Sequence, residues 1–367
     1  MFSVLVVVFF TYLCQTKSEH HFHNVHRSLT TLSNWNWTEV SSAADWTARG
    51  YHTSVVYDNK IYILGGYDGG PYLNDVWYSA DGGYTWVEVA GSAEWSARRG
   101  HTSVVFDNKI FVMGGLATPG NDVWYSSDGG VSWIEATGSA EWIKRRYFCS
   151  VVYNNKIIVL GGLYNHVDGV LNALDDVWSS SDGGFTWMEV TPSAEWSARY
   201  QHSSVVFDNK IFVMGGYAAS NLNDVWSSSD GGLNWVQVNA DADWSVRGSH
   251  TSAVFNNKIY VMGGSASGVS LNDVWYTSDG GLTWMEAGGF SGWQIRNLFT
   301  SVVYDKKLYV LGGLALYDDS TKLNDIWYLG DNTRSPSATA ETTKAIVKGG
   351  WIGLNVGLVV WVVANLR

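Results

Sequence analysis

Cysteine and proline are nearly missing from this sequence, at 2 and 4 residues of 367. Two cysteines exclude a disulfide-stapled scaffold, and so little proline excludes a collagen-like or mucin-like stalk. Charge is also sparse: 16% of residues are Asp, Glu, Lys or Arg, against about 25% in an ordinary domain. What charge there is leans acidic, with 34 Asp and Glu against 23 Lys and Arg and a net charge of −11. A nucleic-acid partner needs a basic surface and is excluded on that ground. The body shows no helical periodicity long enough to matter. What abounds is aromatic and small: 21 Trp, 20 Tyr and 40 Gly. A chain this apolar is not disordered.

Both ends depart from the body. An apolar run from Val4 to Tyr12 is followed by Gln15, Thr16, Lys17 and Ser18. It is too short to span a bilayer and fits the core of a secretory signal over residues 1–18, with an uncleaved anchor as the alternative. Cleavage removes Cys14 and leaves Cys149 as the one thiol. Residues 19–33 hold His20, His21, His23 and His26. Clustered imidazoles can bind metal, but a free polar terminus is the simpler reading, and neither metal nor cofactor is expected. Residues 333–348 are rich in Ser, Thr and Ala, and residues 349–367 form an apolar tail. That order is the pattern for replacement by a GPI lipid, with Ser337 the best-placed attachment residue and a single transmembrane helix the alternative. Either reading places the body, residues 34–332, on the extracellular side of a membrane. The one N-glycosylation sequon, Asn36-Trp37-Thr38, suits that location.

Length alone suggests two or three domains, but the body repeats itself. Double glycines at Gly65-Gly66, Gly114-Gly115, Gly161-Gly162, Gly215-Gly216, Gly263-Gly264 and Gly312-Gly313 recur about every 49 residues, a period of propeller-type repeats rather than helical solenoids. The second copy shows four strand signals: His101 to Phe106, Ile110 to Met113, Asp122 to Ser126 and Ser132 to Glu135. They are short, rich in Val, Ile, Tyr and Trp, and separated by turn residues.

An apolar strand ending in Gly-Gly, a variable loop, then Asn-Asp-Val-Trp and a second Trp nine residues on resembles the kelch repeat. The Trp pairs are Trp77/Trp86, Trp124/Trp133, Trp178/Trp187, Trp226/Trp235 and Trp275/Trp284. The resemblance covers about residues 35 to 332 and implies an all-β fold: a six-bladed β-propeller of four-stranded blades. Ser79-Ala-Asp-Gly-Gly-Tyr-Thr-Trp86 and its copies also resemble the Asp-box turn of sialidase-type propellers, there a structural turn. The sixth copy stops at Asn332 without its final Trp strand, while an orphan Asn36-Trp-Thr-Glu-Val40 precedes the first. The N-terminal strand is therefore expected to complete the last blade, leaving no open sheet edges. Such a ring is expected to be a monomer.

In a four-stranded blade, the turns between strands a and b and between c and d share one face. The b–c loop and the connection to the next blade share the other. The first face is plain, with Asp-Asn-Lys and Asp-Gly-Gly turns; the second varies from Leu116-Ala-Thr-Pro-Gly120 to the longer Leu163 to Leu174 loop. Variable loops on a rigid scaffold are where recognition is expected. Each connection carries Trp-x-x-Arg, with arginines at 49, 98, 145, 199, 247 and 296. The kelch resemblance implies that these lie near the channel mouth, where they would suit a carboxylate, sulfate or acidic peptide. Five copies place an acid four residues earlier (Asp45, Glu94, Glu141, Glu195, Asp243), so each Arg is alternatively neutralised within its repeat. Arg296 lacks that acid, and Arg99, Lys144 and Arg146 add charge beside Arg98 and Arg145. An anion site is expected to lean toward these six residues.

His52, His101, His202 and His250 open the inner strand, where Phe148 and Phe299 stand in the other copies; a position that tolerates Phe is a packing position. Cys149 stands where other copies have Thr or Ser and reads as a small buried residue. The expected role is a binding or adhesion module for a protein or glycan ligand, anionic ligands included. The main alternative is a carbohydrate-active enzyme of the kelch mutarotase type, needing only an acid/base pair; a structural coat protein is a third. A kelch copper oxidase would need a Tyr–Cys crosslink with His and Tyr ligands, and Cys149 has no evident matching set.

Overall fold

A computed structural model describes residues 36–165, 169–287, 291–316 and 320–330. The chain divides into two units, Met1–Asp331 and Asn332–Arg367, and every described residue belongs to the first. The signal segment (1–18), the His-rich segment (19–33), the spacer with Ser337 and the apolar tail lie outside the described residues. Among those described, no helix is long and apolar enough to cross a membrane.

The described residues form a six-bladed β-propeller of four-stranded antiparallel sheets. Blade 1 contains strands a (Thr53–Tyr57), b (Lys60–Tyr67), c (Tyr72–Ser79) and d (Val87–Ala90). Blades 2 to 5 repeat this order. Blade 6 has strands a (Thr300–Tyr304), b (Lys307–Leu314) and c (Lys322–Gly330), and takes Asn36–Ser41 as its outermost strand. Asn36 pairs with Gly330 and Trp37 with Leu329. Trp37 meets Trp293 edge-on at 5.8 Å, as Trp86 meets Trp46 at 5.9 Å and Trp133 meets Trp95 at 5.8 Å. The orphan strand therefore supplies the tryptophan that the sixth copy lacks. Asn324 reinforces the closure by donating to the carbonyls of Ala44 and Trp46 at 3.0 and 3.1 Å.

The core lies between blades: each of six apolar clusters draws on two neighbours. Burial of strand b is continuous, as in Ile61, Tyr62, Ile63 and Leu64 at 0–1% exposure, because both its faces meet adjacent sheets. The Gly-Gly step ends that run with a bulge. Gly65 and Gly66 hold φ of 53° and 107°. A side chain at Gly65 would come within 2.9 Å of the Leu73 carbonyl, so only glycine fits. The ladder then resumes, and the expected blade 3 loop is largely a hairpin paired out to Asn165 and Leu171.

The c–d turns are built by side chains. Asp81 accepts from the Thr85 N–H and hydroxyl at 3.0 and 2.6 Å and from Ser79 at 2.8 Å, while Ser79 accepts the Gly83 N–H at 2.7 Å. Such local bonds fix a tight turn on the plain face.

Candidate functional site

The recurring arginines of the repeat lie inside the blades. Arg49, Arg98, Arg199, Arg247 and Arg296 are 0% exposed and Arg145 is 2% exposed. Arg98 shows why. Its guanidinium grips Asp122 with two bonds at 3.0 and 2.6 Å, donates to the Gly114 carbonyl at 2.8 Å and to the Ser96 carbonyl at 2.9 Å. It also lies 5.6 Å from the Trp95 ring centre. Arg145 pairs with Asp176 and Arg296 with Asp325 in the same way. With a fifth bond to the Ser96 hydroxyl at 3.1 Å, every N–H donor of Arg98 is spent inside the blade. Arg98, Arg145 and Arg296 thus fasten each connection to its own strand c and do not present their charge at the mouth.

The neutralising acid is also a different one from that expected. It is the Asp of Asn-Asp-Val-Trp, as in Asp75 for Arg49 and Asp273 for Arg247. Burial pushes the Asp273 carboxyl up, but bonds and charge from Arg247 outweigh it and hold it below the ordinary range. The acid four residues before the Arg instead accepts the backbone N–H of the tryptophan just before strand d: Glu94 takes Trp133 at 3.2 Å and Glu141 takes Trp187 at 3.1 Å.

Two residues past each arginine, the chain reaches the channel mouth. Tyr51, Gly100, Tyr147, Gln201, Ser249 and Leu298 all have φ between 53° and 62°. They form a closed circle of backbone bonds in which each N–H donates to the carbonyl of the preceding blade. Gly100 donates to Tyr51 at 3.1 Å, Tyr147 to Gly100 at 2.8 Å, Gln201 to Tyr147 at 2.9 Å and Ser249 to Gln201 at 2.9 Å. Leu298 donates to Ser249 at 2.9 Å and Tyr51 to Leu298 at 3.0 Å. Left-handed backbone at non-glycine residues is costly, and it persists only where the surroundings enforce it. Here it turns five side chains onto one rim around a cavity of about 130 Å³.

The rim is aromatic on one side. Tyr72, Tyr67, Tyr51, Tyr147, Tyr200 and Tyr217 follow one another at ring spacings of 5.9, 6.4, 5.8, 6.5 and 5.2 Å. Arg99 sits 4.8, 4.9 and 5.1 Å from Tyr51, Tyr67 and Tyr72, and Arg146 sits 5.5 Å from Tyr147. Arg146 and the exposed Lys144 also line a cleft of about 110 Å³ beside Pro119 and Tyr164, with the backbone-linked Arg145 at its edge. Of the six predicted ligand residues, the structure therefore brings Arg99 and Arg146 to the rim tyrosines and Lys144 to the neighbouring cleft.

The tyrosines escaped the sequence reading. For Tyr51 and Tyr147 the signal was the position two residues after the repeated Arg, which is Tyr, Gly, Tyr, Gln, Ser and Leu in turn; Tyr67, Tyr72, Tyr200 and Tyr217 lie at other positions of the repeat.

Beneath the rim the histidines are neutral packing groups. Burial, helped by the nearby arginine, lowers His52, His202 and His250 to about 3, and Phe148 and Phe299 take the same buried place. Cys149 is half-buried and donates to the His202 carbonyl at 3.0 Å; burial pushes its thiol up to about 12, far from a reactive thiolate. Among the described residues no group of three or more His, Cys, Asp or Glu is arranged to hold a metal ion.

A closed ring of six sheets with an enclosed channel and a side-chain rim defines the class, a β-propeller. The KLHDC2/KLHL20/DRC7 Kelch-repeats domain model matches residues 15–162, 82–216 and 147–335. The chain therefore belongs to the kelch-repeat family, whose propellers generally serve as protein-binding modules. No curated protein matches the chain.

Proposed function

We propose that the chain is an extracellular, membrane-tethered binding module that grips an anionic protein or glycan through the tyrosine- and arginine-lined rim. The observation that carries this reading is the six-tyrosine arc with Arg99 and Arg146 set against it. Tyrosines present large, rigid contact area at small entropic cost, and arginine adds paired donors for carboxylate or sulfate oxygens. The circle of backbone bonds fixes these groups before a ligand arrives, which lowers the cost of binding. Among the described residues no Asp or Glu lines the mouth cavity or the cleft beside it, which favours holding a ligand over acid–base chemistry on it.

The membrane tether rests on the apolar tail and the spacer with Ser337. Secretion rests on the apolar run near Met1, and glycosylation on Asn36, which is exposed at the outer edge of blade 6. Glycan and peptide arrays probed with the wild-type protein and with Arg99→Ala and Tyr147→Ala test the binding reading. Acidic glycans or peptides should light up with wild type and fade with both variants. Signals unchanged by either substitution would remove the rim from the account.

A further inference from the structure

The grooves between blades on the turn face are filled by a strand c tyrosine, a strand a tyrosine crossbar or both, and the groove between blades 4 and 5 has neither. In four blades a strand c tyrosine lies on the aromatic ring of strand b and under a strand b lysine. Tyr78 is 5.8 Å from Tyr62 and 4.9 Å from Lys60, and Tyr125 is 5.8 Å from Phe111 and 5.1 Å from Lys109. Tyr276 is 5.8 Å from Tyr260 and 4.0 Å from Lys258, and Tyr328 is 5.7 Å from Tyr309 and 4.2 Å from Lys307. Blade 4 keeps the ring, Phe212, and the cation, Lys210, but has Ser227 where the tyrosine belongs.

The second missing part is a crossbar. Tyr57, Tyr153 and Tyr304 end strand a in their blades and donate to carbonyls of the next blade, as Tyr153 does to Asn209 at 3.0 Å and Ser229 at 2.8 Å. Blade 3 also lacks the strand c tyrosine, having Ser179, but Tyr153 bridges its groove. Blade 4 has Phe207 instead. Its ring is half-buried, whereas Tyr57, Phe106, Tyr153, Phe255 and Tyr304 at this position are all buried.

The result is an open groove of about 990 Å³. Val236 and Leu282 form apolar walls at 67% and 61% exposure. The rim carries three carboxylates, Asp208, Asp230 and Asp279, against the single cation Lys210. Lys210 is exposed, while the lysines that cover a tyrosine are half-buried.

We propose that this groove is a second docking site, for a protein segment that lays an aromatic side chain on Phe212 under Lys210 and carries basic residues beside it. The repeat itself supplies the template, since four other blades fill the same position with a tyrosine ring. Stacking against a cation and a ring is favourable where water is displaced. The excess of carboxylates selects a partner with positive flanks and rejects an acidic one. The site lies on the face away from the mouth and stands or falls apart from the rim.

The test is fluorescence anisotropy with a fluorescein-labelled peptide, acetyl-Arg-Gly-Tyr-Gly-Arg-amide, titrated with the full-length protein. Ser227→Tyr puts the missing ring in place and should weaken binding by at least about tenfold while leaving the unfolding temperature unchanged or higher. Lys210→Ala should weaken it several-fold, and a peptide with Ala for Tyr should not bind. A folded Ser227→Tyr protein that binds as wild type does overturns the proposal. So does equal binding of the alanine peptide, absence of binding at millimolar peptide, or a Ser227→Tyr-sensitive dimer in sedimentation, which would make a second copy the occupant.

Discussion

Arg98 and Arg99 are neighbours in sequence and belong to different regions of the molecule. Arg98 is sealed in a blade by Asp122 and by carbonyls, in an arrangement repeated six times with hardly an ångström of variation. Arg99 lies half-buried on the rim over three tyrosines; only blade 3 matches it, with Arg146, and the other four blades carry Gly50, Tyr200, Gly248 and Asn297 at that position. The contrast separates a recurring charge that is framework from the residue beside it, which changes from copy to copy and to which the proposed function assigns recognition. A residue that must hold all six blades cannot also be specialised for one ligand.

That division can be broken at the framework with the largest effect. Arg98→Ala leaves Asp122, at 2% exposure, buried without its counter-charge and should cost about 3–5 kcal/mol in urea unfolding. Closure comes next. Trp37→Ala removes the last interblade tryptophan contact and should cost about 2–4 kcal/mol, read as a lower unfolding midpoint. A loss below about 0.5 kcal/mol would mean that the borrowed strand contributes little.

A subtler framework test uses acid. His202 has a folded-state pKa of about 3, well below the ordinary 6.5, so the unfolded chain binds more protons between those values. Its contribution is complete above pH 6.5 and declines as the pH falls toward 3, at up to about 1.4 kcal/mol per pH unit. His202→Phe copies the phenylalanines that blades 3 and 6 already carry at this position, Phe148 and Phe299. It should fold and flatten the pH dependence of unfolding between pH 6 and 4 by that amount. An unaltered slope would place the pH sensitivity elsewhere.

Smallest of all in stability is the rim. Arg99→Ala should cost no more than about 1 kcal/mol, the scale of partly exposed cation–ring contacts, while removing binding.

The sequence was most informative where the same residues recur. Spacing of Gly-Gly and of the paired tryptophans gave the blades, and the orphan Asn36 to Val40 gave the closure, because a missing strand and a spare one of the same pattern must meet. The partner of each arginine was not legible, since the acid that looked closest, four residues back, binds a backbone N–H. The true partner lies 24 to 31 residues on, across the b–c hairpin. The tyrosine arc was hidden for another reason. Its direction depends on left-handed backbone at Tyr51 and Tyr147, which the local sequence does not announce for residues other than glycine. The open groove of blade 4 is visible only when Phe207 and Ser227 are compared with their counterparts together, because either change alone leaves the groove filled.

The split between framework and rim is tested by the paired variants Arg98→Ala and Arg99→Ala, with both thermal unfolding and array binding measured on each. Arg98→Ala should lower the unfolding temperature sharply, while Arg99→Ala should unfold nearly as wild type and lose the acidic ligands. An Arg99→Ala protein that keeps its ligands, or an Arg98→Ala protein as stable as wild type, would contradict it.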